Sequence, residues 1–92
     1  MTAITVRCEP AAGGWTCQVS VDDGDGWPTA HVVTVAATDL ARLDPRAETP
    51  DELVRRSFDF LLAREPTSSI LARFDLMVIA RYFPEFEHTI RR

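Results

Sequence analysis

Apolar and polar side chains alternate along residues 2–9, where Ile4, Val6 and Cys8 share one face and Thr5, Arg7 and Glu9 the other. A period of two is the signature of a strand with one buried face. Residues 15–21 repeat it, with Trp15, Cys17, Val19 and Val21 set against Thr16, Gln18 and Ser20. The intervening PAAGG supplies the glycines of a tight hairpin. With Ala12 and Gly13 as a two-residue turn, Cys8 falls opposite Cys17, Val6 opposite Val19 and Ile4 opposite Val21, so every apolar side chain lies on the same face. After the turn cluster DDGDGWP at 22–28, the β-branched run AHVVTVA over 30–36 predicts a third antiparallel strand, with Val33 and Val35 inward and Val32 and Thr34 outward.

The period then changes. Thr38 or Asp39 can cap a single turn, DLARL, ahead of the Asp44-Pro45 break. Thr49 before Pro50, with Glu52 three residues after Thr49, combines a capping box with proline at the first helical position, and predicts a helix from residue 50 to Glu65, where Pro66 ends it. On that helix Leu53, Val54, Phe58, Phe60, Leu61 and Leu62 cover about half the circumference, an arc wide enough to imply contact on two sides. Helical spacing continues over 68–83, either as one helix or as two that part at Asp75, and Pro84 opens a last short helix over 84–91 with Phe86 and Ile90 facing inward. Strands followed by helices predict an α+β domain: a three-stranded antiparallel β-meander with three or four α-helices packed on one face.

Composition narrows the functional classes. At 92 residues the chain is one domain, with enough apolar residues (46%) and few enough charged ones (26%) to fold rather than remain disordered. All ten basic residues are Arg. Residues 1–40 carry Arg7 against Glu9, Asp22, Asp23, Asp25 and Asp39, and residues 41–92 balance nine Arg with nine acids, so the chain nets -4. Neither half offers the positive field that nucleic acids or anionic membranes require, and neither is expected as a partner. No stretch approaches the ~20 apolar residues of a membrane span, and no leader-like segment opens the chain, which leads us to expect a cytoplasmic protein.

The combination of GWTCQVSV, HVVTV followed by DLARL, and a C-terminal string Phe60-Leu61-Leu62, Arg64-Glu65-Pro66, Ser69-Ile70-Leu71, Phe74-Asp75-Leu76, Val78-Ile79 and Arg81 to Glu85 resembles a group of short bacterial proteins of about this length. The resemblance covers nearly the whole chain. It implies a stand-alone domain and no particular activity, cofactor or partner.

Candidate chemistry is sparse. Cys8 and Cys17 could form a cross-strand disulfide or half of a metal clamp, but a structural zinc site needs four ligands and no further Cys or His has the spacing, so both are expected as small buried thiols. DDGDG lacks the oxygen ligands of an EF-type calcium loop: counted from Asp23, position five is Trp27 and position twelve Thr34. His31 and His88 are isolated, and the helical arginines Arg55, Arg56, Arg64, Arg73, Arg81, Arg91 and Arg92 are expected in local pairs such as Arg55 with Asp59. No catalytic, cofactor-binding or metal-binding residue is assigned, and we expect a protein that is not an enzyme.

One feature exceeds what a small core requires. Trp15, Trp27, Phe58, Phe60, Phe74, Met77, Tyr82, Phe83 and Phe86 are many large groups for three strands and a few short helices. Trp27, Met77, Tyr82 and Phe86 are the candidates for an exposed apolar patch, such as marks contact with another protein or with a second copy of the chain. The competing expectation is a small-ligand or minor catalytic cleft between sheet and helices, with His31, Tyr82, Arg81 or Asp75 as its polar groups.

Overall fold

A computed structural model describes residues 2–24 and 26–91. Asp25 of the turn cluster and Arg92 of the arginine set therefore lie outside the described residues. Three long strands, β1 (Ala3–Ala11), β2 (Gly14–Asp22) and β3 (Thr29–Ala36), form the antiparallel meander, and the register sets Cys8 opposite Cys17, Val6 opposite Val19 and Ile4 opposite Val21. Gly13 takes the left-handed conformation (φ 75°) that the two-residue turn needs. Its neighbour Gly14 has a different reason to be glycine: a Cβ there would lie 2.0 Å from the Val35 carbonyl oxygen. The close approach lets the turn reach the end of β3, where the Ala37 N–H donates to the Gly13 carbonyl at 2.9 Å.

The sheet differs from the expected meander by a fourth strand. β4 (Arg73–Asp75) pairs in parallel with β3, placing Val33 beside Phe74, in the order β1-β2-β3-β4. Residues 68–83 are consequently not one continuous helix; of the divided reading only the second part forms, as a short helix after Asp75, while the first is a 3-10 turn and a strand. They hold a 3-10 turn at Thr67–Ser69, then β4, then α3 (Val78–Tyr82). The free margin of β3 competes successfully with helical propensity here. The Val32 N–H donates to the Ala72 carbonyl (2.8 Å), the Leu76 N–H to the Thr34 carbonyl (2.9 Å), and the Thr34 hydroxyl to Asp75 Oδ1 (2.7 Å). Asp75 Oδ2 accepts the Met77 N–H at 3.1 Å and so turns the chain towards α3.

The helices α1 (Ala37–Leu43), α2 (Asp51–Leu62), α3 and α4 (Phe86–Ile90) complete the α+β domain. α1 is longer than the single turn expected, and α2 is shorter, beginning after Pro50 with no side-chain cap, so the Thr49 capping box does not form. α2 does make contact on two sides. Phe58 points to the sheet, its ring 5.4 Å from His31 and 6.2 Å from Phe74, while Phe60 meets Phe83 (5.8 Å) and Phe86 (5.2 Å) edge to face. Cys17, Val19, Val21, Val33 and Val35 from the sheet and Leu53, Val54, Phe58 and Leu61 from α2 form the centre of the core. Burying each such side chain contributes about 1.5–3 kcal/mol, which makes the sheet–α2 contact the principal stabilising layer.

Two polar groups enter this layer with their partners. Ser57, fully buried, donates to the Leu53 carbonyl at 2.8 Å. Arg56 pairs with Asp44 (3.3 Å) and reaches the Ile90 carbonyl (3.4 Å), but its Nε and Nη1 have no protein acceptor. Arg55 does not pair with Asp59 as expected. It crosses to the margin of the sheet, where Nη1 donates to the Ile4 carbonyl at 2.7 Å.

Cys8 and Cys17 are joined by a disulfide, which corrects the expectation of two buried thiols. Directly opposed positions on adjacent antiparallel strands, with Cα atoms 3.9 Å apart, bring both sulfurs to the same face of the sheet. No described helix is long and apolar enough to cross a membrane.

Candidate apolar cleft

A concavity is formed where the end of α2, the 3-10 turn, β4 and α3 converge. Its volume is about 320 Å³. Leu61 and Phe83 come from the helical side, Ile70 and Phe74 from the segment that joins the sheet, and Ile79 and Val78 from α3. Each arrives for a local reason. Pro66 cannot continue α2 and diverts the chain into the turn at Thr67–Ser69, after which Ile70 and Leu71 run extended into β4. Glu65 and Ser69 supply polar atoms to the lining, and the rim carries Leu71 and Tyr82.

The exposure of these rim groups distinguishes the cleft from ordinary surface. Leu71 is 49% and Tyr82 69% exposed, and both line the same opening. Buried and half-buried apolar residues, Leu61, Ile70, Phe74 and Ile79 among them, line the same opening.

Two fixed points hold the walls. His31, almost fully buried, accepts or donates at both ring nitrogens: Nδ1 lies 2.8 Å from the Leu71 carbonyl and Nε2 3.0 Å from the Thr29 hydroxyl. A carbonyl can only accept, so Nδ1 carries a proton and donates to Leu71, while the Thr29 hydroxyl completes the contact at Nε2. His31 thus fastens the segment carrying Leu71 to the start of β3, as a satisfied structural histidine. Outside the lining, the Arg64 guanidinium lies over the Phe60 ring, 3.5 Å from its centroid, and reaches Glu85 at 3.7 Å, which ties the end of α2 to the approach of α4 behind Leu61 and Phe83.

No family model, no curated protein and no solved structure matches the chain. What the cleft can do therefore rests on its own chemistry. Among the described residues no group of His, Cys, Asp and Glu side chains is arranged to hold a metal ion.

The four patch candidates do not come together. Tyr82 lines the cleft; Trp27, 94% exposed, stands on the β2–β3 loop. Met77 is half-buried, with its sulfur 3.6 Å from Arg42 Nη2. Phe86 is fully buried against Phe60 and belongs to the core, so it is no part of a surface patch. Of the polar groups expected in a cleft only Tyr82 is present: Asp75 is engaged with Thr34 and Met77, His31 lies behind Leu71, and Arg81 is exposed outside the lining. Leu71 was not indicated by the sequence pattern, which placed it inside a helix.

Proposed function

We propose that this chain is a small non-enzymatic protein-binding module that takes an apolar side chain of a partner protein into the cleft rimmed by Leu71 and Tyr82. The observation that carries the reading is that, of the three exposed large hydrophobic residues among the described residues, two line one opening with an apolar floor. Exposed aromatic and aliphatic groups around a preformed depression are what a buried interface anchor requires, and tyrosine is among the residues that most often supply binding energy at such positions. Rigid walls, held by His31 and by Arg64, lower the ordering cost of binding.

The competing reading, a small apolar ligand, is favoured by the cleft volume of about 320 Å³, which lies at the lower end of ligand-sized sites. A bound small molecule would survive native mass spectrometry of gently purified protein, and its release by mild denaturation would decide for that reading.

The disulfide supports work in an oxidising environment, against the cytoplasmic placement expected from the sequence's lack of a leader-like or membrane-spanning segment.

The test is quantitative affinity capture with immobilised wild type, Leu71→Asp and Tyr82→Asp. Both positions are exposed, so each variant should unfold at nearly the wild-type temperature. The same partner should be retained by wild type and lost by both variants. If no retained protein depends on Leu71 or Tyr82, the cleft is not a docking site.

A further inference from the structure

β1 is an edge strand, and alternate residues of such a strand turn N–H and C=O away from the sheet. Ile4 belongs to this set, since its carbonyl accepts from Arg55, and alternation adds Val6, Cys8 and Pro10. The protein itself therefore caps Ile4. Beyond Val6 and Cys8 the sheet has no further strand among the described residues, and Pro10 can offer only its carbonyl. The side chains of Ile4, Val6 and Cys8 point to the inner face and are only half-buried, so the apolar row is incompletely covered where the sheet ends. On the outer face Arg7 and Glu9 stand on either side of Cys8, with side chains 79% and 68% exposed; Arg7 Nε lies 3.9 Å from the Glu9 carboxylate of the same chain, a loose surface pair that pairing with a second copy would exchange.

We propose that this edge is completed by β1 of a second copy of the chain, antiparallel, about a two-fold axis between the two Cys8 residues. Among the registers that bring the outward-facing backbone groups opposite one another, those centred on residues 6 to 8 overlap the open part of the strand most fully. Centring on Arg7 sets the two Arg7 guanidinium groups directly across from each other, which is repulsive. Centring on Val6 brings Ile4 opposite Cys8 of the second copy, and the Ile4 carbonyl is already engaged by Arg55. Centring on Cys8 meets neither obstacle. The two Cys8 residues exchange a pair of backbone hydrogen bonds, and each Val6 N–H donates to the Pro10 carbonyl opposite. Each Arg7 then faces Glu9 of the second copy at a non-hydrogen-bonded position, where cross-strand side chains approach most closely. Pro10 and the Arg55–Ile4 contact limit the pairing to residues 6–10, and the Arg7/Glu9 spacing is self-complementary in that register alone. This surface is separate from the cleft, and its test does not depend on the cleft being a docking site.

The experiment is sedimentation velocity on the full chain from micromolar to millimolar concentration at low salt, with the Cys8–Cys17 bond shown intact by mass spectrometry. Wild type should form a dimer whose fraction rises with concentration. Arg7→Glu and Glu9→Arg each set like charges opposite and should weaken the dimer roughly tenfold or more, while the double variant Arg7→Glu/Glu9→Arg restores both ion pairs and should restore association. Both positions are exposed, and thermal unfolding of each variant at the wild-type temperature confirms the fold. A monomer at every concentration overturns the proposal. So does a dimer indifferent to Arg7→Glu, or a double variant that associates no better than the singles.

Discussion

Reduction of the Cys8–Cys17 disulfide removes a cross-link between residues separated by 9 positions. Loop-closure entropy grows with the logarithm of loop length, and for a loop this short the unfolded chain regains about 2.6 kcal/mol at 25 °C. The native state has little to lose in exchange. β1 remains laddered to β2 from the Ala3–Asp22 pair to the Ala11–Gly14 pair, Arg55 still holds Ile4, and the two thiols keep their places on the inner face. Nearly all of the effect therefore lies in the unfolded chain. In a domain near this size 1 kcal/mol moves Tm by roughly 4–8 °C, so complete reduction should lower it by on the order of 10–20 °C. Thermal unfolding followed by far-ultraviolet circular dichroism, with and without a dithiol reductant, measures this. Intact mass must show the gain of two hydrogens in the reduced sample, and the half-buried Cys8 gives the reductant access from the sheet margin. A fully reduced protein whose Tm falls by less than a few degrees would refute the reasoning, because the bond would then constrain an unfolded chain already as compact without it.

His31→Ala leaves the Leu71 carbonyl and the Thr29 hydroxyl without their buried partner and should destabilise the domain by about 1–3 kcal/mol in urea unfolding; hydrogen exchange should quicken in residues 67–72 before it does in β2. Arg56→Ala strands Asp44 in a largely buried position and should cost about 3 kcal/mol, whereas Arg56→Met with Asp44→Leu should recover most of that loss by the same urea assay. The orphaned Nε and Nη1 of Arg56 make that recovery easier, since they gain nothing in the native state.

The long strands and α2 were legible because each has a single period and a hydrophobic face. The hairpin register followed from the one turn that puts Ile4, Val6 and Cys8 on the same side as Val21, Val19 and Cys17, and the structure has that register. β4 was not legible. Its three residues lie in a run whose apolar spacing suits a helix, and the pairing of Val32 with Arg73 is a parallel, non-local contact that local pattern cannot display. The cleft was missed for the same reason: Leu71 becomes a rim residue only once Pro66 and β4 have straightened the chain around it. Tyr82 was indicated as one of the large groups in excess of what a small core requires. Phe86 was rightly expected to face inward with Ile90, and that same orientation excludes it from the surface. Opposed cysteines were read correctly as opposed, but their oxidation depends on the medium, to which side-chain pattern gives no access.

The two surfaces occupy opposite margins of one sheet and differ in what they can supply. β1 lies at one edge and β4, which contributes Phe74 to the cleft, at the other. Pairing through β1 would therefore leave the cleft open and give the dimer two of them. The edge contributes backbone hydrogen bonds and a charge pattern that select a register, which favours specificity over strength. The cleft contributes apolar area, which favours strength over selectivity. A weak, register-specific dimer carrying two shallow apolar sites would bind a partner with repeated apolar anchors far better than either site alone, since the second contact becomes intramolecular. On this argument the acidic, Trp27-bearing loop is not required for either interaction, and the small size of the cleft is no obstacle to useful affinity.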